Sequence, residues 1–376
     1  MRPTNTPTTP ANTRPGFTLV ELLVVIVIIT VVISLVIPAV GKVRRTAKVA
    51  NSQQIANQVA NAASTFQQDK RKLPGYYSTR DMGLNENGKT IGMSAMLNAL
   101  LDLSGGVVGV GGVKPVGGGP VQQVAPFSPT GSNASTVAWV DPTLIGSTGS
   151  GNTTTKGYFI PDKKYFYSPR PNVGTEIARF GTIDNAIPDL VDAFGTPLLL
   201  WSADESMNSP IAFDSGNSGA NNFARIKSSS PAMFYWNTNA AYLNATSLGK
   251  ARTDQTKITK SGEGSLLGGG RTDLEREQTL AGLLGNPGFH TGDVAAGADA
   301  VLPSAPRGRF IVQVANPDGF YLQPKEGVSV LDNTKILKFG YNFVLPGGAV
   351  RKDDKGAPTS VDITKSFGDI LAVGGS

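Results

Sequence analysis

Residues 17–40 read FTLVELLVVIVIITVVISLVIPAV, an apolar run of 24 residues with one charge, Glu21. As a helix rising about 1.5 Å per residue, the run reaches ~36 Å, enough to cross the hydrocarbon core of a bilayer. Ile, Val and Leu dominate it. Such β-branched residues form helices poorly in water, but lipid offers the backbone no other hydrogen-bond partner. A secretory signal peptide would have a shorter apolar stretch that ends in a small-residue cleavage site. Here the small residue, Gly16, comes before the run. Glu21 is the anomaly, because a carboxylate inside an apolar span is costly unless paired or neutral and marks a functional position by default. A cut after Gly16 would put a new amino group on Phe17, one helical turn from Glu21, where ammonium and carboxylate could neutralise each other within one chain or between chains. The plainer alternative is a Glu near the interface that snorkels to water.

The net charge of +6 invites a nucleic-acid reading, and its distribution argues against one. Seven basic residues (Lys42, Arg44, Arg45, Lys48, Lys70, Arg71 and Lys72) face one acid, Asp69, in residues 41–72, whereas residues 73–376 carry 25 basic and 26 acidic side chains. The excess therefore sits beside the apolar run, where lipid headgroups or subunit contacts explain it better than DNA. There is no Cys, which excludes disulfides, thiolate metal sites and thiol nucleophiles. One His, His290, argues against a multi-histidine metal site or a Ser-His-Asp triad.

The segment Arg14-Pro15-Gly16-Phe17-Thr18-Leu19-Val20-Glu21 resembles the class III signal of type IV prepilins and type II secretion pseudopilins. That pattern is a short basic leader, a Gly, a methylatable Phe, a Glu four residues further and an apolar helix. Pro38 matches a helix kink found in many relatives. The resemblance implies cleavage by a prepilin peptidase between Gly16 and Phe17, N-methylation of Phe17 and a role for Glu21 in assembly. It also implies partners: other pilin-like subunits in a homo- or hetero-polymer, an inner-membrane assembly platform and the lipid bilayer, with no nucleic acid. The expected location is the inner membrane, single-pass, with the C-terminal domain in the periplasm, or at the cell surface if a pilus forms. One sign opposes this orientation: the positive-inside bias would place Lys42 to Lys48 in the cytoplasm. The family orientation is followed, because the cleavage signal must face the cytoplasm.

From 41 to 72 there is no Pro, and Val43, Ala47, Ala50, Ile55, Val59, Ala62 and Phe66 recur mostly at spacings of three and four, which predicts an amphipathic stripe. Lys70-Arg71-Lys72 suits a helix C-terminus and Leu73-Pro74-Gly75 a stop. One long helix over about 17–72 follows, with a separate surface helix as the alternative. Residues 92–103 predict a short amphipathic helix, and 272–284 a second one with Thr272 and Glu275 as a capping box. Strands are expected at 157–167, 196–201, 232–236, 308–315 and 336–345. The Gly-rich 104–136 and the polar 202–231 and 246–271 read as loops. The fold class is α+β and pilin-like: a long N-terminal transmembrane and amphipathic helix packed on an antiparallel β-sheet domain with large loop insertions. The expected organisation is a leader over 1–16, the transmembrane half of the helix over 17–40, its amphipathic half over 41–73 and a periplasmic or extracellular globular domain over 74–376.

Two further segments resemble the family. Asp192-Ala193-Phe194-Gly195-Thr196-Pro197 is similar to the Asp-x-aromatic-Gly-x-Pro turn that opens the sheet of major pseudopilins, and Ser366-Phe367-Gly368-Asp369-Ile370 to their Asp-Asp-Ile ending, with Gly for the first Asp. The soluble part is far longer than a typical major pseudopilin, which leaves subunit rank open.

Several motifs point to chemistry without its context. Gly83 to Thr90 has P-loop spacing, but a P-loop follows a buried strand and GYYSTRDM is polar. Ser247 with Lys250, and Lys260-Ser261-Gly262, imitate penicillin-binding motifs but lie together in one polar stretch. Asp353, Asp354 and Asp362 are candidate calcium ligands by hard-oxygen chemistry, and solvated charge explains them more simply. The expected function is a non-enzymatic, cofactor-free structural subunit of a type II secretion pseudopilus. The alternatives are a type IV or minor pilin for adhesion or DNA uptake, and a membrane-tethered binding protein or enzyme on a pilin-type anchor.

Overall fold

The computed structural model describes residues 18–83, 94–111, 122–124, 138–141, 144–145, 157–167, 189–204, 223–225, 232–235, 238–239, 280, 282–286, 306–323, 325 and 363–375. The chain divides into two units, residues 1–48 and 49–376. Its longest element, α1 (Leu19–Lys70), contributes to both.

In the first unit, every described side chain from Thr18 to Lys48 is exposed. An 18-residue window of α1 reaches a mean hydropathy of 3.2, long and apolar enough to cross a membrane. Large aliphatic side chains cover all sides of this stretch, the consecutive Leu22, Leu23, Val24 and Val25 among them. A helix that is apolar all round is made for a non-aqueous surrounding. The helix continues through Pro38, although proline has no N–H for the carbonyl one turn back.

In the second unit, α1 buries Ser52, Ile55, Ala56, Val59, Ala60, Ala62, Ala63 and Phe66, a stripe at helical spacing. The stripe begins later than the sequence suggests: Val43, Ala47 and Ala50 are exposed. They satisfy the three-and-four spacing but lie on another face of the helix from Ile55 and Val59. The helix stops where Arg71 turns left-handed at φ 57°, with its N–H donated to the Gln67 carbonyl at 2.9 Å. Lys72 then pairs with Asp102 at 2.8 Å.

The short α2 (Thr79–Gly83) and the longer α3 (Ala95–Leu103) follow. Ser94 caps α3 by accepting the Leu97 N–H at 3.2 Å. Sequence periodicity predicts an amphipathic element here, but α3 is buried on every side except at Asp102. It is a core helix, and its one internal polar residue, Asn98, is satisfied by the Tyr77 N–H and carbonyl at 2.8 and 2.9 Å.

The strands are β1 (Val107–Val110), β2 (Gln122–Val124), β3 (Ala138–Val140), β4 (Phe166–Tyr167), β5 (Asp189–Leu190), β6 (Leu199–Ser202), β7 (Phe223–Arg225), β8 (Ala232–Phe234), β9 (Phe310–Val314) and β10 (Ile370–Gly374). Among the described residues all strand pairings are antiparallel, in sheets β1-β3-β2, β10-β9-β6, β4-β5 and β7-β8. In the central sheet Leu200 faces Val312, which faces Ala372. With Leu198, Phe310 and Val314 these residues share one core with the buried stripe of α1 and with α3. β9 is buried along its whole length, as befits the middle strand. The architecture is thus mixed α+β, a long amino-terminal apolar helix with antiparallel sheets, consistent with a pilin-like fold.

Three further expectations change. Residues 104–136, read as a loop, contain β1 and β2, because β3 supplies partners that the Gly-rich composition does not reveal. β7 lies inside the polar 202–231 for the same reason. Of the strand expected at 157–167 only Phe166–Tyr167 is extended, preceded by a 3₁₀ turn at Lys163–Tyr165. The strand expected at 336–345 and the Thr272–Glu275 box lie outside the described residues.

Candidate assembly site at the amino terminus

Helix α1 needs acceptors for its first N–H groups, and Thr18 and Glu21 provide them reciprocally. The Glu21 N–H donates to Thr18 Oγ1 at 3.2 Å, while the Thr18 N–H and hydroxyl each donate to Glu21 Oε2 at 2.8 Å. The Leu22 N–H reaches the Thr18 carbonyl at 3.2 Å and closes the first turn. This is a Thr-x-x-Glu capping box, and the positive end of the helix dipole favours the carboxylate there. One carboxylate oxygen is held by its own chain, and the residue is exposed. Gly16 and Phe17 themselves lie outside the described residues. The sequence reading gave Glu21 an assembly role and missed its capping role, although Thr18-Leu19-Val20-Glu21 spells the motif.

The two other family-like segments are structural anchors in the second unit. Asp192 is buried and accepts the N–H groups of Phe194 and Thr196, each at 2.8 Å, and the Ser52 hydroxyl at 3.3 Å. Ser52 Oγ in turn accepts the Ala193 N–H at 3.2 Å. Burial pushes the Asp192 carboxyl above the usual range against the pull of these donors. Gly195 adopts φ +82°, a conformation open to glycine, and lets the turn close through a bridge between Val191 and Pro197. One aspartate thus ties α1 to the turn that leads into β6.

Asp369 terminates a second network. Trp201 Nε1 donates to Gln313 Oε1 at 2.8 Å, Gln313 Nε2 donates to Asp369 Oδ2 at 2.6 Å, and the Leu322 N–H donates to both Asp369 oxygens at 2.9 and 3.0 Å. The residue is partly buried, and the protein packed around its carboxyl pushes it up to about 7 by loss of hydration. Gly368, which departs from the family's double aspartate, is forced by close approach. A Cβ there would stand 2.7 Å from the Asn316 Cβ.

The tempting motifs gain no chemistry. Gly83 ends α2, so no strand delivers the P-loop-like segment, and residues 84–90 lie outside the described residues. His290, Ser247, Lys250, Lys260 and the calcium candidates Asp353, Asp354 and Asp362 also lie outside them. Among the described residues, no three His, Cys, Asp or Glu side chains cluster for a metal. A cleft of about 500 Å³ is lined by Lys72, Tyr76, Tyr77, Arg80 and Asp204, and the Tyr235 hydroxyl donates to Asp204.

No curated protein and no solved structure matches the chain. One family does: residues 12–37 match the prokaryotic N-terminal methylation motif. The match covers Gly16, Phe17, Thr18, Glu21 and most of the exposed apolar stretch, and it implies processing by prepilin peptidase, assembly with other pilin subunits and membrane anchoring. Residues 12–37 of this chain are thus similar to the prokaryotic N-terminal methylation motif, the prepilin-type amino terminus found on pilin-like proteins.

Proposed function

We propose that this chain is a structural subunit of a type II secretion pseudopilus. In this reading prepilin peptidase cuts between Gly16 and Phe17 on the cytoplasmic side and the Phe17 amine is methylated. The protein waits in the inner membrane with its α+β unit in the periplasm. Assembly bundles the apolar stretches of α1 into a filament core, and each Glu21 accepts a Phe17 ammonium. The chain catalyses nothing and needs no cofactor.

The carrying observation is the carboxylate of Glu21 fixed at the first turn of a helix that is apolar on all sides, within residues 12–37. An unpaired charge buried among such helices would be strongly unfavourable, so pairing with an amine fixes axial register. Two sequence features favour the pseudopilus over a pilus: the Asp192–Pro197 turn and the Asp369-Ile370 ending. The lack of Cys disfavours pilins closed by a C-terminal disulfide loop. A type IV or minor pilin is the second reading, and the length of chain beyond α1, greater than in a typical major pseudopilin, leaves subunit rank open. The test is Glu21→Ala. The variant is expected to insert in the membrane and fail to enter filaments, read by shearing and sedimentation. Filaments at the normal level would contradict the proposal.

A further inference from the structure

Lys42, Arg44, Arg45 and Lys48 crowd into seven residues of α1 directly after the apolar span, and all four are exposed. Residues 22–68 contain no acid, so the only charged side chains on this stretch of helix are these four basic ones. At about 100° per residue, Arg44, Arg45 and Lys48 share one face about 100° wide with Lys42 beside it, while Val40, Val43 and Ala47 share another. The face is thus a compact cationic patch on a regular element.

Its position along the helix identifies the partner. From Glu21, the polar group at the start of α1, the axial distance is about 32 Å to Lys42 and about 40 Å to Lys48. A bilayer has a hydrocarbon core of about 30 Å and spans about 40–45 Å with its headgroups. With Glu21 at one polar boundary, the patch falls in the headgroup layer of the opposite leaflet, where the phosphates lie. Long basic side chains reach laterally into that layer, and the guanidinium forks of two arginines suit phosphate oxygens in pairs. A second copy of the chain is the weaker partner, because residues 73–376 balance 25 basic against 26 acidic side chains and offer no strong opposite charge.

We propose that Lys42, Arg44, Arg45 and Lys48 form a binding site for the phosphodiester headgroups of anionic phospholipids in the leaflet opposite the amino terminus. The inference deepens the anchoring reading and rests on α1 spanning the membrane. The site sets the depth of the helix and holds free subunits in the bilayer, so leaving the membrane for a filament breaks these contacts.

Native mass spectrometry tests it, with the full chain in detergent titrated with phosphatidylglycerol or with phosphatidylcholine. A basic group near an anionic surface is worth roughly fivefold in binding. The variant Lys42→Gln/Arg44→Gln/Arg45→Gln/Lys48→Gln is expected to retain phosphatidylglycerol at least about tenfold more weakly than the wild type, and phosphatidylcholine unchanged. Arg2→Gln/Arg14→Gln, compared as uncleaved chains, is expected to behave as the wild type. Equal retention of the two lipids by the wild type, or a preference lost only in Arg2→Gln/Arg14→Gln, would overturn the site. Carbonate extraction of membranes separates this from the anchoring reading. A wild-type chain that resists extraction but shows no lipid preference defeats the site alone, whereas a chain that carbonate removes defeats the anchor.

Discussion

The two halves of α1 share one backbone ladder and differ in what surrounds them. Over residues 22–37 Leu, Ile and Val side chains cover every side, interrupted by Thr30 and Ser34, and all are exposed. Over residues 52–66 one face is buried and much of it is alanine: Ala56, Ala60, Ala62 and Ala63 beside Ile55, Val59 and Phe66. Bulky side chains all round make a rod that needs a solvent of lipid or of like helices. Small ones on one face, with a few large anchors each worth about 1.5–3 kcal/mol on burial, let that face join the core shared with α3 and the central sheet. Hydropathy alone would rank the first half as the better core. Burial falls instead on the less hydrophobic half, because only there do polar positions such as Gln54, Asn57 and Asn61 define an outside.

This contrast can be broken most forcefully at Val59, which is fully buried. Val59→Asp puts a carboxylate without a partner into the core and is expected to cost more than about 4 kcal/mol, read as loss of cooperative melting of the full chain in detergent. A normal melting transition would refute the packing described for residues 49–376.

The next effect is in pH. Asp369 has its folded value raised to about 7. The folded state therefore binds the proton more tightly than the unfolded chain. Stability is greatest below the unfolded value near 4 and falls as pH rises through about 7, by at most about 4 kcal/mol. Asp192 is shifted in the same direction. Urea denaturation of the full chain in detergent should give a higher midpoint at about pH 4 than at about pH 8. Asp369→Asn should flatten the slope, and a slope of opposite sign would contradict the burial of the carboxyl.

In the other half, Ile28→Lys places a charge mid-span and is expected to weaken insertion by about 3 kcal/mol while leaving the melting of the second unit unchanged. Membrane flotation with melting of the same preparation checks both halves of that statement. The smallest effect is at Ser52: Ser52→Ala removes the link to Asp192 and the acceptor for the Ala193 N–H, for about 1–2 kcal/mol in the same melting assay. No loss of stability would mean that this link does not hold α1 to the turn.

The sequence made the helix legible because its signals are local. An apolar run, a three-and-four stripe and a Lys-Arg-Lys end predicted 17–72, and the described helix is Leu19–Lys70. The phase of the stripe was harder to read, because Val43 and Ala47 keep the spacing without facing the core. The strands β6, β8 and β9 carried enough aromatic and β-branched residues to be read alone, whereas β1, β2 and β7 exist through pairing with distant partners that composition cannot show. At the site, Glu21 stood out by its charge, and the Thr18 cap was spelled in the chain. Asp369 was recognisable by resemblance only. Its partner Gln313 lies 56 residues away, and no local pattern announces such a bond.

Intact-mass spectrometry of the polypeptide isolated from its native membrane tests the reading most directly. The result expected is a chain that begins at Phe17 with one methyl group on its amine, and a full-length chain when Gly16 is replaced by a bulkier residue. A chain that keeps Met1–Gly16, or that begins anywhere other than Phe17, would contradict it.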